Sequence, residues 1–534
     1  MHLRMGKGRT KIFCFLISLV LALGLYGAST GTVLAHSQSW TQTTLPDFDT
    51  GTPQQVQLAD TGDGGVQLEV GGYYLYAFQG SSTSFWRYST LDNTWETLAG
   101  APWSTGQGAA LAYDGGNYIY ALQGGGTNTF MRYDIAANTW DYSGSGTGEV
   151  APLPGLVSYG GDLVFYGLWD YDGDNDDEPL FYAVGGGGST SFWRYDALGD
   201  GWENLSAVPL PYTVGWGGSL ACVEFYDPDL FLLHGNGIYF SGYPQWGYQW
   251  ESKEVTPFPV NQGGALAYDE NISGGYIYAL QGGGQTGFWN YGLSINSWAI
   301  MANTPYSVSY GGDLAGDGFN FFYALRGGGF NTFMRYDPGF DSWDYSGSVT
   351  LEVAPCPGNV NTGGALTRGN PQYQASGTFT SSVYDGVGAP LWGTMAWTDD
   401  GTNGQSVTMK VRTGNNADMS DATAWAGCPA ATGGTDISGL SSVTDGDRYI
   451  QYRAELATSS GSLTPVLYDV TLNLWRVIPG DADGSGTVDS ADITYMENVV
   501  AWDPMYSVCP DCCDANQDEM IDCRDITKAE LLAP

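Results

Sequence analysis

Histidine is nearly missing: the chain has three in 534 residues, and His2 and His36 lie in or at the end of a segment that reads as a removable leader. Only His234 remains inside the body, which excludes metal or acid–base centres built on several histidines. Positive charge is scarce as well, with 18 Lys and Arg against 57 Asp and Glu and a net charge of −39. Such a chain repels phosphate backbones and anionic lipid surfaces, so nucleic acid is excluded as a partner. Long apolar runs are absent beyond "IFCFLISLVLALGLYG", which follows Arg4, Lys7, Arg9 and Lys11 and precedes Val33 and Ala35 at the small-residue positions of a cleavage site. That pattern reads as a signal peptide over 1–35, and the run is short for a bilayer span. The expected mature protein is secreted and extracellular, with cell-surface association open to it and no membrane insertion after cleavage.

What fills the body is repetition. "YAFQGSSTSFWRYSTLDNTW" from Tyr76 returns as "YALQGGGTNTFMRYDIAANTW" from Tyr120 and "YAVGGGGSTSFWRYDALGDGW" from Tyr182. It returns again as "YALQGGGQTGFWNYGLSINSW" from Tyr278 and "YALRGGGFNTFMRYDPGFDSW" from Tyr323, with a degenerate copy from Phe231. The starts lie 44, 62, 49, 47 and 45 residues apart, and a tryptophan follows each by 19 or 20 residues: Trp95, Trp140, Trp202, Trp250, Trp298 and Trp343. Each unit reads as four short strands punctuated by glycines and Asp or Asn turns. One such sheet cannot cover both its faces, whereas several around an axis can.

These residues resemble the kelch family over roughly 38–369, which implies a mainly β chain whose first domain, 36–370, is a kelch-like β-propeller. "GGG" runs and an F-[WM]-R-Y-D third strand depart from the usual kelch pattern. First-strand signals occur seven times, from Gly64-Gly65 to Gly363-Gly364, and "SWTQTTLPDF" at 39–48 reads as an orphan fourth strand. Seven blades closed by both chain ends use both leftovers; six blades is the alternative.

Aromatics make up 14% of the chain. Those at repeat positions read as packing between blades, and the non-repeat Trp169, Trp216 and Trp246 are candidates for ligand contact. Arg87, Arg132, Arg194 and Arg335 recur in the third strand, with Asn290 in the fifth unit. They read as a repeated structural salt bridge or ring contact rather than a ring of guanidinium groups around an anion. An acidic insertion places Asp170, Asp172, Asp174 and Asp176 at alternate positions. It reads equally as an extra calcium loop and as a solvated loop.

From about 371 to 476 the repeat gives way to "GTFTSSVYD", "GTMAWT", "SVTMKVRTG", "RYIQYRAEL" and "PVLYDVTLNL". These alternating, β-branched runs predict an antiparallel β-sandwich module. It loosely resembles the jelly-roll modules of secreted surface proteins, so carbohydrate binding and a spacer role are both open to it.

The tail, 477–534, carries "GDADGSGTVDSADI", with oxygens at Asp481, Asp483, Ser485, the Thr487 carbonyl, Asp489 and Asp492. This is the spacing of an EF-hand calcium loop. A second copy offers Asp514, Asn516, Asp518, the Met520 carbonyl, Asp522 and Asp525, with Glu519 where the turn glycine belongs. Two loops ending in Asp, each leading into a helix, resemble a type I dockerin. The resemblance implies a small α-helical domain with two calcium ions, the second site being the weaker one. It also implies a cohesin partner contacted through Ser490 and Ala491 in the first copy and Cys523 and Arg524 in the second. Cys509, Cys512, Cys513 and Cys523 read as disulfide staples with pairing open, or as a zinc site. Crowded carboxylates predict a tail that folds on binding calcium.

These readings lead to a secreted, non-catalytic binding protein held by a calcium-dependent dockerin–cohesin contact, in polysaccharide binding or breakdown. A propeller glycoside hydrolase or polysaccharide lyase and a structural cell-surface protein are the other classes.

Overall fold

The computed structural model describes residues 36–58, 65–143, 149–169, 178–205, 207–223, 229–244, 249–269, 272, 275–348, 352–401, 404–476 and 488–500. The chain divides into two compact units, Val70–Gln372 and a second made of the segments before and after it.

The described residues of Val70–Gln372 form six antiparallel four-stranded sheets. Sheet II is representative: Ala110–Tyr113, Tyr118–Leu122, Phe130–Asp134 and Thr139–Tyr142, each strand paired with the next. Sheets III to VI begin at Asp162–Trp169, Ser219–Val223, Ala265–Ala267 and Asp313–Gly316. Sheet I takes its first strand from the far end of the unit: Gly364–Tyr373 pairs beside Val70–Gln79, followed by Phe85–Ser89 and Thr94–Thr97.

Each sheet buries aromatic and aliphatic side chains against its successor, and the sixth packs on the first, so the sheets close a ring. The repeat explains the packing. Tyr133 donates to Asn138 Oδ1 at 2.7 Å, and Asn138 Oδ1 accepts the Ala99 amide at 2.8 Å from the preceding linker. Trp140 Nε1 donates to the Ala99 carbonyl at 2.9 Å. The same Tyr, Asn-or-Asp and Trp clamp recurs at Tyr195–Asp200–Trp202 and Tyr336–Asp341–Trp343. Asn138 can serve because it sits in the left-handed region, φ 53°, which Asn tolerates.

The count of four-stranded sheets is therefore six rather than seven among the described residues. The Gly64-Gly65 signal leads into Val66–Leu68, which pairs with Val56–Leu58 and Val466–Arg476 in the other unit. "SWTQTTLPDF" holds no fourth strand of the ring. Its first part belongs to His36–Gln42, paired with Val470–Arg476, and its end forms a helical turn, Leu45–Phe48. Physics decides the assignment: Phe48, Val56, Val66 and Leu68 bury in the core of that unit, so the ring begins at Val70 and not at 36.

In that second unit two sheets face each other across one core. Leu391–Asp399 and Val466–Arg476 contribute Trp392, Met395, Leu467 and Leu472 from one side. Ser376–Thr380, Gln405–Gly414 and Tyr449–Thr458 contribute Phe379, Met409, Val411, Ile450 and Tyr452 from the other. Four of the five predicted runs lie in single strands, and "GTFTSSVYD" splits into Ser376–Thr380 and Tyr384–Asp385. In the tail the described residues form one helix, Ser490–Val500.

Candidate functional site

The ring encloses two cavities, ≈ 90 and ≈ 180 Å³, that share Asp162, Ser219 and Asp313 in their walls. Those three residues occupy the position after the glycine pair in the first strands of sheets III, IV and VI; the other sheets carry Ala110, Ala265 and Ala365 there. Their polar atoms serve the innermost strands, whose outward amides have no further strand to pair with. Asp162 accepts its neighbour Leu163 N at 2.8 Å and Leu220 N of the next sheet at 2.7 Å. Asp313 does the same with Leu314 N at 2.8 Å and Leu366 N at 2.7 Å, and Ser219 Oγ accepts Leu266 N at 3.0 Å.

Enclosure by protein pushes the Asp162 carboxyl up to about 6 and Asp313 up to about 8, the latter raised further by the charge of Asp162. Both side chains keep some surface toward the cavities. Composition could not pick this pair out of so many acids; the departure from Ala in an otherwise regular motif is the signal that could have.

At one mouth the wall consists of Gln107, Tyr159, Trp216, Gln262, Tyr310 and Thr362, one residue ahead of each glycine pair. Tyr159 and Trp216 stack with centroids 4.5 Å apart and planes 15° apart. Around them lie the turns between second and third strands. Each of five turns bridges the linker to the next sheet: Thr127 to Val157, Ser189 to Val214, Gly237 to Val260, Gln285 to Val308 and Phe330 to Val360. Antiparallel order puts these turns and linkers at one end of the strands, and the other hairpin turns at the opposite end.

The triple glycines exist for this contact. Gly186, Gly187 and Gly188 have φ of 63°, 64° and 77°, and Gly187 N donates to the Tyr159 carbonyl at 2.8 Å. A Cβ on Gly186 would lie 2.3 Å from Gly161 N. Only glycine combines that conformation with that approach.

The turns and linkers of this face carry no acid of their own, while Asp162 and Asp313 line the cavity between them. The six turns (79–84, 123–129, 185–191, 234–239, 281–287, 326–332) and six linkers (101–109, 150–161, 207–218, 255–264, 302–312, 353–364) contain no Asp or Glu, and their only Lys or Arg is Arg326. The strand ends away from it carry Asp92, Asp114, Asp134, Asp196, Asp200, Asp269, Asp317, Asp337 and Asp341.

His234 occupies the place that Gln79, Gln123 and Gln281 hold in other sheets and does the same work. Its Nδ1 lies 3.1 Å from the Tyr212 carbonyl, as Gln123 Nε2 lies 3.2 Å from that of Ser104. Its Nε2 meets Ser241 Oγ at 2.9 Å, and burial pushes its pKa down to about 4, so it is neutral and structural.

The repeat arginines are also structural. Arg87 pairs with Glu96 at 2.6 Å, Arg132 with Asp141 at 3.0 Å, Arg194 with Glu203 at 2.6 Å and Arg335 with Asp344 at 2.8 Å, each across neighbouring strands of one sheet. In sheet V the pair is lost as a pair, since Asn290 faces Ala299. Of the non-repeat tryptophans, Trp216 lies at the mouth and Trp169 packs against the cluster around Tyr166 and Leu180. Trp246 lies outside the described residues.

Asp170, Asp172, Asp174 and Asp176 also lie outside them, on the connection between the first two strands of sheet III. So do Asp481, Asp483, Ser485, Thr487, the whole second loop with Cys523 and Arg524, and Cys509, Cys512 and Cys513. Asp489 and Asp492 are described and lie at the start of the tail helix. Asp489 Oδ1 accepts Ala491 N at 2.7 Å, Asp489 N donates to Asp492 Oδ2 at 2.7 Å, and Asp492 is fully buried. Two hard oxygen donors, one buried, at a helix start fit the last ligands of a calcium loop, and the same bonds cap the helix. Ser490 and Ala491 are exposed on the first turn. Cys222, Cys356 and Cys428 are buried and form no disulfide among the described residues.

No protein-family model matches the chain, and no curated protein matches it.

Proposed function

We propose that the protein is a secreted glycan-binding component: a kelch-type β-propeller of six blades and a β-sandwich, held to a cohesin-bearing scaffold by a calcium-dependent dockerin tail. The observation that carries the reading is a mouth whose turns and linkers carry no acid, with Tyr159 stacked on Trp216 and Tyr310 facing the same cavity. In a chain of net charge −39, a neutral aromatic surface around a cavity suits the apolar faces and hydroxyls of sugars. In the tail, Asp489 and Asp492 would complete the first calcium loop, while the second loop rests on its spacing alone. Bound calcium would neutralise crowded carboxylates and supply folding free energy, presenting Ser490 and Ala491 to the partner.

Binding of polysaccharides by the full chain, with and without Trp216→Ala, tests the glycan reading. A loss of affinity of about tenfold is expected from removing one stacking ring, with the melting temperature unchanged. No binding to any glycan would end that reading. Calcium-dependent capture of a cohesin, abolished by excess chelator, tests the tail.

A glycoside hydrolase or lyase is the second reading, favoured by Asp162 and Asp313, two enclosed carboxyls raised to different values. Product release from a polysaccharide, lost in Asp313→Asn, would establish it. Against it stands the commitment of both carboxylates to backbone amides.

A further inference from the structure

Arg326 stands where other sheets carry Gln79, Gln123 and Gln281, and its surroundings differ from those of the other cations in the ring. Arg87, Arg132, Arg194, Lys253, Arg335 and Arg368 each hold a carboxylate at 3.3 Å or less. Arg326 holds none among the described residues. Its guanidinium carbon lies 3.6 Å from the ring centroid of Phe330 and 4.6 Å from that of Tyr306. Both contacts are with ring faces, not with an acceptor oxygen. One N–H reaches Thr332 Oγ1 at a long 3.4 Å, and the buried Nε has no partner. A guanidinium has five donors, so most of these are uncommitted. Arg87 and Arg335 also leave Nε unpartnered, but each satisfies its Nη2 with a carboxylate.

The two rings on Arg326 are open to solvent, Phe330 48% and Tyr306 37% exposed, and so is Tyr310, 38%, whose carbonyl accepts Gly328 N of the same turn. Partial burial lowers the pKa of Arg326, a desolvation cost that no anion of the ring offsets. The turns and linkers around Arg326 add no carboxylate, and the cavity acids Asp162 and Asp313 are held on backbone amides with their pKa values raised toward the neutral form; charges farther than about 8 Å are screened at physiological salt.

We propose that Arg326, with Tyr306, Phe330 and Tyr310, forms a subsite for a carboxylate carried on a sugar ring, so that the glycan bound at this mouth is an acidic, uronate-containing one. The planar two-oxygen carboxylate matches the paired donors of a guanidinium edge, and the exposed rings take the pyranose face. The inference rests on the glycan-binding reading of this face and names its ligand class.

The test uses the full chain in calcium at physiological salt. Calorimetry compares a uronate oligosaccharide with the same oligosaccharide reduced at its carboxyls, and with a sulfated one. Wild type should bind the uronate about tenfold tighter than the reduced form, and that advantage should shrink as salt rises. Arg326→Gln installs the residue of sheets I, II and V, so folding should be retained. It should erase the advantage while leaving neutral binding unchanged, and Arg326→Lys should keep part of it. Equal affinity of Arg326→Gln and wild type for the uronate, or a preference for the sulfated chain over the uronate, would overturn the proposal. Neutral binding that is lost in Trp216→Ala, with no uronate advantage, would remove only the Arg326 subsite. Absence of all glycan binding would remove the parent reading as well.

Discussion

The two ends of the six-sheet ring come from the same repeats, yet they are built from different materials. At the end where linkers cross, glycine and backbone make the surface: triple-glycine turns that carry no carboxylate donate into linker carbonyls. At the other strand ends, side chains do the joining, with Asn138, Asp200 and Asp341 clamping tyrosines and linker amides. A backbone-made surface leaves its aromatic side chains free to face a ligand. A side-chain-made surface has already used its polar groups. The acidity of the chain is thus segregated, and net charge describes one end of the ring far better than the other.

The largest expected effect on this contrast comes from Gly160→Ala. Gly160 has φ 79°, and a Cβ there would lie 1.8 Å from the Gly215 carbonyl oxygen of the next sheet. A backbone clash added to left-handed strain should cost about 3 kcal/mol or more. Gly115, at the opposite end, has a similar φ of 78° but no atom nearer than 3.8 Å, so Gly115→Ala should cost only about 1 kcal/mol. Urea unfolding of both variants measures the difference, and equal losses would break the contrast.

A smaller effect comes from the carboxyls between the two ends. The folded-state pKa of Asp313, about 8, lies above the unfolded value near 3.9. The native state therefore holds its proton more tightly, and stability is lost as pH rises from about 4 toward 8. Asp162, at about 6, contributes only to the lower part of that window. Asp313→Asn should lower stability throughout, because one amide cannot accept both Leu314 N and Leu366 N. It should also flatten the decline between pH 6 and 8 relative to wild type. An unchanged slope would mean that the channel does not hold the proton.

The smallest expected effect is that of His234→Gln. The histidine fills a glutamine position, so the change should cost under about 1 kcal/mol, for the contact to Ser241 Oγ. Any glycan binding at the mouth should persist. A large loss would assign His234 a role beyond the turn.

The repeats made the sheets legible because each copy carries its own turn residues and its own tryptophan, so six independent signals agree. The seventh signal misled because Gly64-Gly65 before an apolar run is local information. Its fate was decided by whether Val66 and Leu68 found a core beside Phe379 or beside a sheet of the ring. The Arg–carboxylate pairs were legible as structure through repetition alone, and Asn290 opposite Ala299 follows the same logic in reverse. Asp162 and Asp313 were hidden because two acids among 57 carry no mark until strands from opposite parts of the chain line one channel. Arg326 was hidden for the opposite reason: its meaning lies in the carboxylate it lacks.

Gln374 N donates to the Glu69 carbonyl at 2.9 Å, so the chain crosses into and out of the ring at neighbouring points. The ring is an insertion of some three hundred residues into the two-sheet unit, closed at its base by that bond and by the first two strands of sheet I. Tension pulled between the segment before Glu69 and the tail would run through the strand pair His36–Gln42 and Val466–Arg476 and bypass the ring.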